Sequence, residues 1–204
     1  MNPLTVEGFV YTSLEKGYKT IVHTAAAGSL GKMLVPACKN AGVVLINIVR
    51  RKEQVELLKS LGAEHIINTG EEDWKQTCAA LFEELKPQAF FDAVGGKIAS
   101  ELFSLLPPGS TTYNYGGLSG QGILVSPLDL IFKDKTLTGW WLNKFLEDKQ
   151  VAMKVFGGAF KNLAMKTFTT EVSKSFPFKK YAEAIKFYGE TSSTGKTLLH
   201  NPNF

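Results

Sequence analysis

Short, continuous apolar runs alternate with amphipathic helical patterns along most of this chain, and no other feature restricts its fold as much. The runs at 20–24, 43–49, 65–67, 89–93, 111–115 and 136–140 read as strands buried on both faces. Helical patterns at about 29–40, 53–61, 73–85, 98–106 and 128–132 separate them, with Gly42, Gly62 and Pro107-Pro108-Gly109 as stops. Doubly buried strands joined through helices define a parallel sheet. The expected fold is therefore α/β, a doubly wound, six-stranded sheet of the Rossmann type. A helix capped by Asn2, with Pro3 in its first turn and Gly17 as its stop, precedes the sheet. After the sheet, residues 142–165 read as one helix with a weak point at Gly157-Gly158. The segment 169–175, a helix at 177–188, a polar turn and a last strand at 196–200 follow. The expected division is a sheet-bearing domain over 1–168 and a C-terminal segment over 169–204.

With 204 residues, 44% of them hydrophobic and 21% charged, the chain can bury a full core. Its formal charge of +4 is spread out and includes no run of five basic residues. That argues against nucleic acid or a membrane surface as partner and leaves room for small anionic ligands. Cys38 and Cys78 stand far apart with no His at ligand spacing, so neither a metal site nor a disulfide framework is expected. Both read as buried thiols in a reducing, cytoplasmic setting. No apolar stretch nears the roughly 20 residues of a membrane span, and the opening residues carry no leader pattern.

Ala25-Ala26-Ala27-Gly28-Ser29-Leu30-Gly31 falls where the first run gives way to a helix. In such a fold, backbone N–H groups and the positive end of the helix dipole meet a dinucleotide pyrophosphate there. Gly28 lets the main chain approach a ligand, and Gly31 lets the helix lie close on the sheet. Ala26 replaces the first glycine of the usual pattern, so the placement between strand and helix carries more weight than the pattern. A turn that only packs helix on sheet is the alternative.

After 43–49 comes Arg50-Arg51-Lys52, where a carboxylate would bind a ribose hydroxyl. A cation at that position suits a ribose 2′-phosphate, so NADP(H) is the expected cofactor; a solvated helix start is the other reading. Val94 and Gly95, within Asp92-Ala93-Val94-Gly95-Gly96, fall on the same sheet edge as Tyr115 and Gly116, within Tyr115-Gly116-Gly117. They read either as cofactor contacts or as ordinary turns. Trp140 and Trp141 read as core or interface, with a lining role at the nicotinamide as the other possibility.

Asn2-Pro3-Leu4-Thr5, the Ala-rich loop, Ser60-Leu61-Gly62-Ala63, Asp92-Ala93-Val94-Gly95-Gly96, Gly139-Trp140-Trp141-Leu142 and Gly195-Lys196-Thr197-Leu198-Leu199 follow one another as in the medium-chain dehydrogenase/reductase superfamily. The chain resembles the zinc-free quinone oxidoreductase and enoyl reductase branch over nearly its whole length. The resemblance implies NADPH-dependent reduction of a quinone or an activated double bond without a metal. It also implies a GroES-like substrate domain ahead of Asn2, absent from this sequence, on which 169–204 would pack. The last strand would then lack its usual partner, and the catalytic residues stay unassigned. The chain alone would bind NADP(H) and turn substrate over poorly. A homodimer joined through the sixth-strand edge is implied as well.

Other chemistries fit less well. Gly189 to Thr197 ends in Gly-Lys-Thr, but five residues separate its glycines and it runs from helix to strand, the reverse of a phosphate-binding P-loop. No Tyr-x-x-x-Lys pair is present. His23 reads as a strand histidine satisfied by its neighbours rather than a base, and His65 and His200 have no partner at metal or triad spacing. Against an oxidoreductase stands a binding module, a domain that senses NADP(H) or serves as an assembly surface without turnover.

Overall fold

The computed structural model describes residues 1–191 and 195–201, so most of the expected polar turn, 192–194, and the final 202–204 lie outside the described residues. Six strands form one parallel sheet: β1 (Thr20–His23), β2 (Val44–Val49), β3 (His65–Asn68), β4 (Ala89–Asp92), β5 (Thr111–Asn114) and β6 (Thr136–Gly139). Their order is β3-β2-β1-β4-β5-β6, so the winding reverses between β1 and β4. The helices α1 (Asn2–Lys16), α2 (Ser29–Ala41), α3 (Lys52–Ser60), α4 (Trp74–Leu85), α5 (Gly96–Leu105) and α6 (Pro127–Phe132) precede and connect the strands. This is the Rossmann-like α/β fold that the alternation requires.

The central strands bury both faces, which is why their sequences lack a polar side. Ile21 of β1 faces α1 and α2 with Phe9, Leu34 and Phe91, whereas Val22 faces α4 and α5 with Ile46, Ile67, Phe82, Phe90 and Leu102. Phe9 of α1 is the hub of the first layer. Its ring stacks on Phe91 at 4.2 Å and meets Tyr115 and Trp140 edge-on at 4.9 and 4.8 Å. Gly8, one residue earlier, makes room for that packing: a Cβ there would stand 2.7 Å from Trp140.

Helix ends depart from the sequence reading where backbone acceptors decide. The cap of α1 is Met1 rather than Asn2, because the Met1 carbonyl accepts from the Thr5 N–H at 3.1 Å and Asn2 is already helical. Gly17, at φ 70°, ends α1 as expected. The span 142–165 is two helices, α7 (Leu142–Phe145) and α8 (Lys149–Ala164). The break is at Asp148, whose carboxylate caps α8 by accepting from the Gln150 and Val151 N–H groups at 2.8 and 3.2 Å. Gly157 and Gly158 stay helical, and Gly158 leaves space for the Glu7 side chain of α1.

Residues beyond α8 form β7 (Val172–Pro177), a short 3-10 turn at Phe178–Lys180, α9 (Tyr181–Thr191) and β8 (Lys196–His200). β8 does not lack a partner, as the resemblance had implied. It pairs in parallel with β7, Ser175 opposite Leu198, so the C-terminal segment builds its own two-stranded unit. Phe168, just before that unit, is buried in the core of the large sheet. Truncating Phe9 to Ala should cost about 3–5 kcal/mol and lower the thermal midpoint sharply. Leu14→Ala, at an exposed position of the same helix, should leave the midpoint almost unchanged; equal shifts for the two would disprove the hub role.

Candidate cofactor-binding site

The turn from β1 into α2 is shaped by close backbone approach. Ala25 sits at φ 53°, and its carbonyl accepts from the Gly28 N–H at 2.9 Å. Ala26 donates to the Ile48 carbonyl at 3.3 Å, tying the loop to the end of β2. A Cβ on Gly31 would come within 2.6 Å of the Ala26 carbonyl carbon, so only glycine lets α2 start this near the loop. Gly28 is the N-cap, with no side-chain cap and no acidic residue in the first turn. The N–H groups of Ser29, Leu30 and Gly31 are therefore turned toward the loop mouth with the positive end of the helix dipole. The cradle fits the pyrophosphate of a dinucleotide.

Arg50 and Arg51 follow β2 directly, two and three residues from the Ile48 carbonyl that holds Ala26. Arg50 is exposed, and its main-chain N–H donates to Gln54. Arg51 is the N-cap of α3 and lies 3.7 Å from Glu53. The structure thus brings both cations to the edge that carries the β1–α2 loop.

Asp92, at the end of β4, organises the rest of this edge. Fully buried, it accepts from Thr24 Oγ1 at 2.6 Å, the Val94 N–H at 3.0 Å, the Gly95 N–H at 2.8 Å and Asn114 Nδ2 at 2.9 Å. These bonds join the ends of β1, β4 and β5. Thr24, Asp92 and Asn114 escaped the sequence reading of the site; the available signal was a charged residue closing the otherwise apolar run Ala89-Phe90-Phe91. Val94 and Gly95 do reach the edge, but their N–H groups are committed to Asp92. Gly95 and Gly96 take positive φ, 70° and 62°, because the 117–121 loop packs over them: a Cβ on Gly96 would lie 2.8 Å from Ser119 Oγ. Gly116 is similarly pressed on the Ala93 carbonyl, 2.8 Å from where a Cβ would be.

Tyr115 places its hydroxyl 2.7 Å from His23 Nε2. His23 is satisfied on that side only; its Nδ1 has no partner. Burial depresses its pKa to about 3, so the ring is neutral. Trp140 turns into the core against Gly8, Phe9 and Phe145, and Trp141 is 66% exposed at the start of α7. The structure does not bring these two indoles together on one surface. Cys38 and Cys78 are free and buried, which pushes both thiols up to about 12. No described helix is long and apolar enough to cross a membrane.

A parallel sheet with this strand order and a glycine-shaped loop at its reversal point defines a Rossmann-like domain of the dinucleotide-binding kind. The chain belongs to the zinc-binding dehydrogenase family of the medium-chain dehydrogenase/reductase superfamily, whose pattern matches residues 29–157. It is similar to the human mitochondrial enoyl-[acyl-carrier-protein] reductase, 32% identical over 155 residues that make up 72% of this chain and 41% of that protein. Similarity to the corresponding enzyme of Dictyostelium discoideum extends over 93% of this chain and 55% of that one at 28% identity. A solved structure from Mesorhizobium loti, assigned as an NADPH:quinone reductase, superposes with a TM-score of 0.84 at 29% identity, over 98% of this chain and 57% of that one. The chain thus spans about half the length of such relatives. Among the described residues no three His, Cys, Asp or Glu side chains gather as a group that could hold a metal ion.

Gly31→Ala should destabilise the fold by about 1–3 kcal/mol, because the added methyl must displace backbone rather than a side chain. Gly122→Ala, where a Cβ would meet nothing within 4 Å, serves as the control. Calorimetric melting of both variants checks the claim, which fails if they melt together.

Proposed function

We propose that this chain is the NADP(H)-binding domain of an oxidoreductase that reduces an activated carbon–carbon double bond or a quinone. The observation that carries the reading is the β1–α2 loop, where the Gly31–Ala26 approach leaves an uncapped helix start, tied by Ala26 to the end of β2 that Arg50 and Arg51 follow. The printed activities of the relatives, enoyl reduction and NADPH:quinone reduction, supply the substrate class. When bound, the nicotinamide supplies a hydride. This chain's own residues hold it: the Ser29–Gly31 N–H groups receive the pyrophosphate, and Arg50 and Arg51 receive the 2′-phosphate through charge-assisted, two-point hydrogen bonds. His23 at the end of β1 and Phe9 of α1 are fully buried behind this edge. The unit of β7, α9 and β8 is the one that a substrate domain would pack against, with Glu171, just before β7, joined to Lys32 of α2 at 3.2 Å.

We also propose a homodimer through β6. It is the edge strand beyond β5, and α6 beside it exposes Leu128, Ile131 and Phe132. Two copies related by a two-fold axis would pair β6 with β6 and cover those side chains. Sedimentation at micromolar concentration should give twice the chain mass; a monomer there would rule the dimer out.

The cofactor reading is tested by calorimetric titration of the full chain with NADPH and NADH. Each charge-assisted bond contributes roughly 1.5–3 kcal/mol, so NADPH should bind at least about tenfold more tightly. Replacing Arg50 and Arg51 together by Ala should abolish that preference and leave NADH affinity almost unchanged. Equal affinities in the unmutated chain would return the basic cluster to a solvated helix start.

A further inference from the structure

Buried His23 and half-buried Tyr115 form a pair that the phosphate and ribose contacts leave unused. His23 closes β1 and is fully buried, while Tyr115 follows β5, so the 2.7 Å contact between them crosses the end of β4. Their rings are nearly parallel, at 10°, and Phe9 packs against both. A neutral imidazole carries one proton, and the unpartnered Nδ1 decides where it sits. On Nδ1 it would be a buried donor without an acceptor, which costs more than an unpaired lone pair. The proton therefore belongs on Nε2, from which it is donated to the Tyr115 oxygen. Tyr115 keeps its own hydroxyl proton to give elsewhere.

The rest of Tyr115 is fixed too. Its main-chain N–H donates to the Asp92 carbonyl at 2.9 Å, Asn114 Nδ2 donates to the Gly116 carbonyl at 2.9 Å, and Gly116 lies tight on Ala93. The strand order gives the direction of the ligand. With the pyrophosphate at the β1 loop and the adenosine ribose toward β2, the nicotinamide half runs toward β4 and β5, where Tyr115 stands.

We propose that His23, acting through Tyr115, is a positioning residue for the nicotinamide half of the cofactor, with the Tyr115 hydroxyl donating to an oxygen of the nicotinamide ribose or carboxamide. The inference rests on the assignment of the β1–α2 loop as the phosphate site. Its test compares two probes on the full chain: NADPH, and 2′,5′-ADP, which carries only the adenosine half. Tyr115→Phe should weaken NADPH about tenfold, shift the emission of the bound nicotinamide, and leave 2′,5′-ADP affinity unchanged. His23→Gln keeps an N–H within reach of Tyr115 and should retain NADPH affinity within about threefold, whereas His23→Leu should match Tyr115→Phe. Equal losses for both probes would show a merely structural role, and no loss for either would show no role; both overturn the proposal. Failure of the unmutated chain to bind either probe would instead overturn the assignment of the phosphate site, and this inference with it.

Discussion

The buried Asp92 carboxylate is the constraint on which the working edge of this fold depends. A carboxylate withdrawn from water must replace its lost hydration with hydrogen bonds, and here four donors from three strand ends supply them. Thr24 serves twice, donating to Asp92 and accepting from the Ala93 N–H at 2.9 Å. The β1, β4 and β5 loops therefore hold one another in position, since moving any one of them would strand a buried polar group. Three backbone bonds, from Tyr115 to Asp92, Leu118 to Ala93 and Ser119 to Val94, extend the same fastening outward.

On the opposite edge a buried cation does comparable work. Lys135 has no exposed side-chain surface; its Nζ donates to the Phe103 and Ser104 carbonyls at 2.9 Å each and lies 3.3 Å from Asp129. Those carbonyls belong to the last turn of α5, so the ammonium closes a helix end where the dipole is negative. Asp129 is held below the usual carboxylate range, first by its bond to Lys133 and then by Lys135, whereas burial draws Lys135 downward. The sheet is thus pinned at one edge by a buried anion and at the other by a buried cation, each saturated with partners.

Much of this was legible because the strand and helix periods differ so clearly. The six strands came through the sequence to within a residue at most ends, since runs such as Val43 to Val49 have no polar face to misread. The β1–α2 loop was legible because a glycine in the first turn of a helix, a short loop after a buried strand, gives up helix propensity only where backbone must come close. The break before α8 was not, for Gly157-Gly158 looked weaker than Asp148, and only the capping bonds show which governs. The pairing of β8 with β7 was equally hidden. Two short, polar-flanked strands say nothing about each other until α9 turns the chain back. Trp140 and Trp141 illustrate the limit well: adjacent and chemically alike, they diverge because one leaves a strand inward and the other opens a helix outward.

Two glycine-bearing helix starts share the carboxyl edge, and their hydrogen bonding separates them. At α5 the Val94 and Gly95 N–H groups go to Asp92, and the Gly96 N–H goes to the Gln121 carbonyl at 3.1 Å. A resident carboxylate already occupies the place an anionic ligand would take, and a second negative charge beside it would be repelled. At α2 no side chain caps the first turn, which has no acidic residue, and Lys32 lies within it. Lys32 is itself placed against the dipole preference, since a cation in the first turns of a helix is disfavoured unless anions are near. Glu171 supplies one such anion from the C-terminal unit. The first turn of α5 is thus closed by a resident carboxylate, whereas that of α2 carries no side-chain cap and no acidic residue.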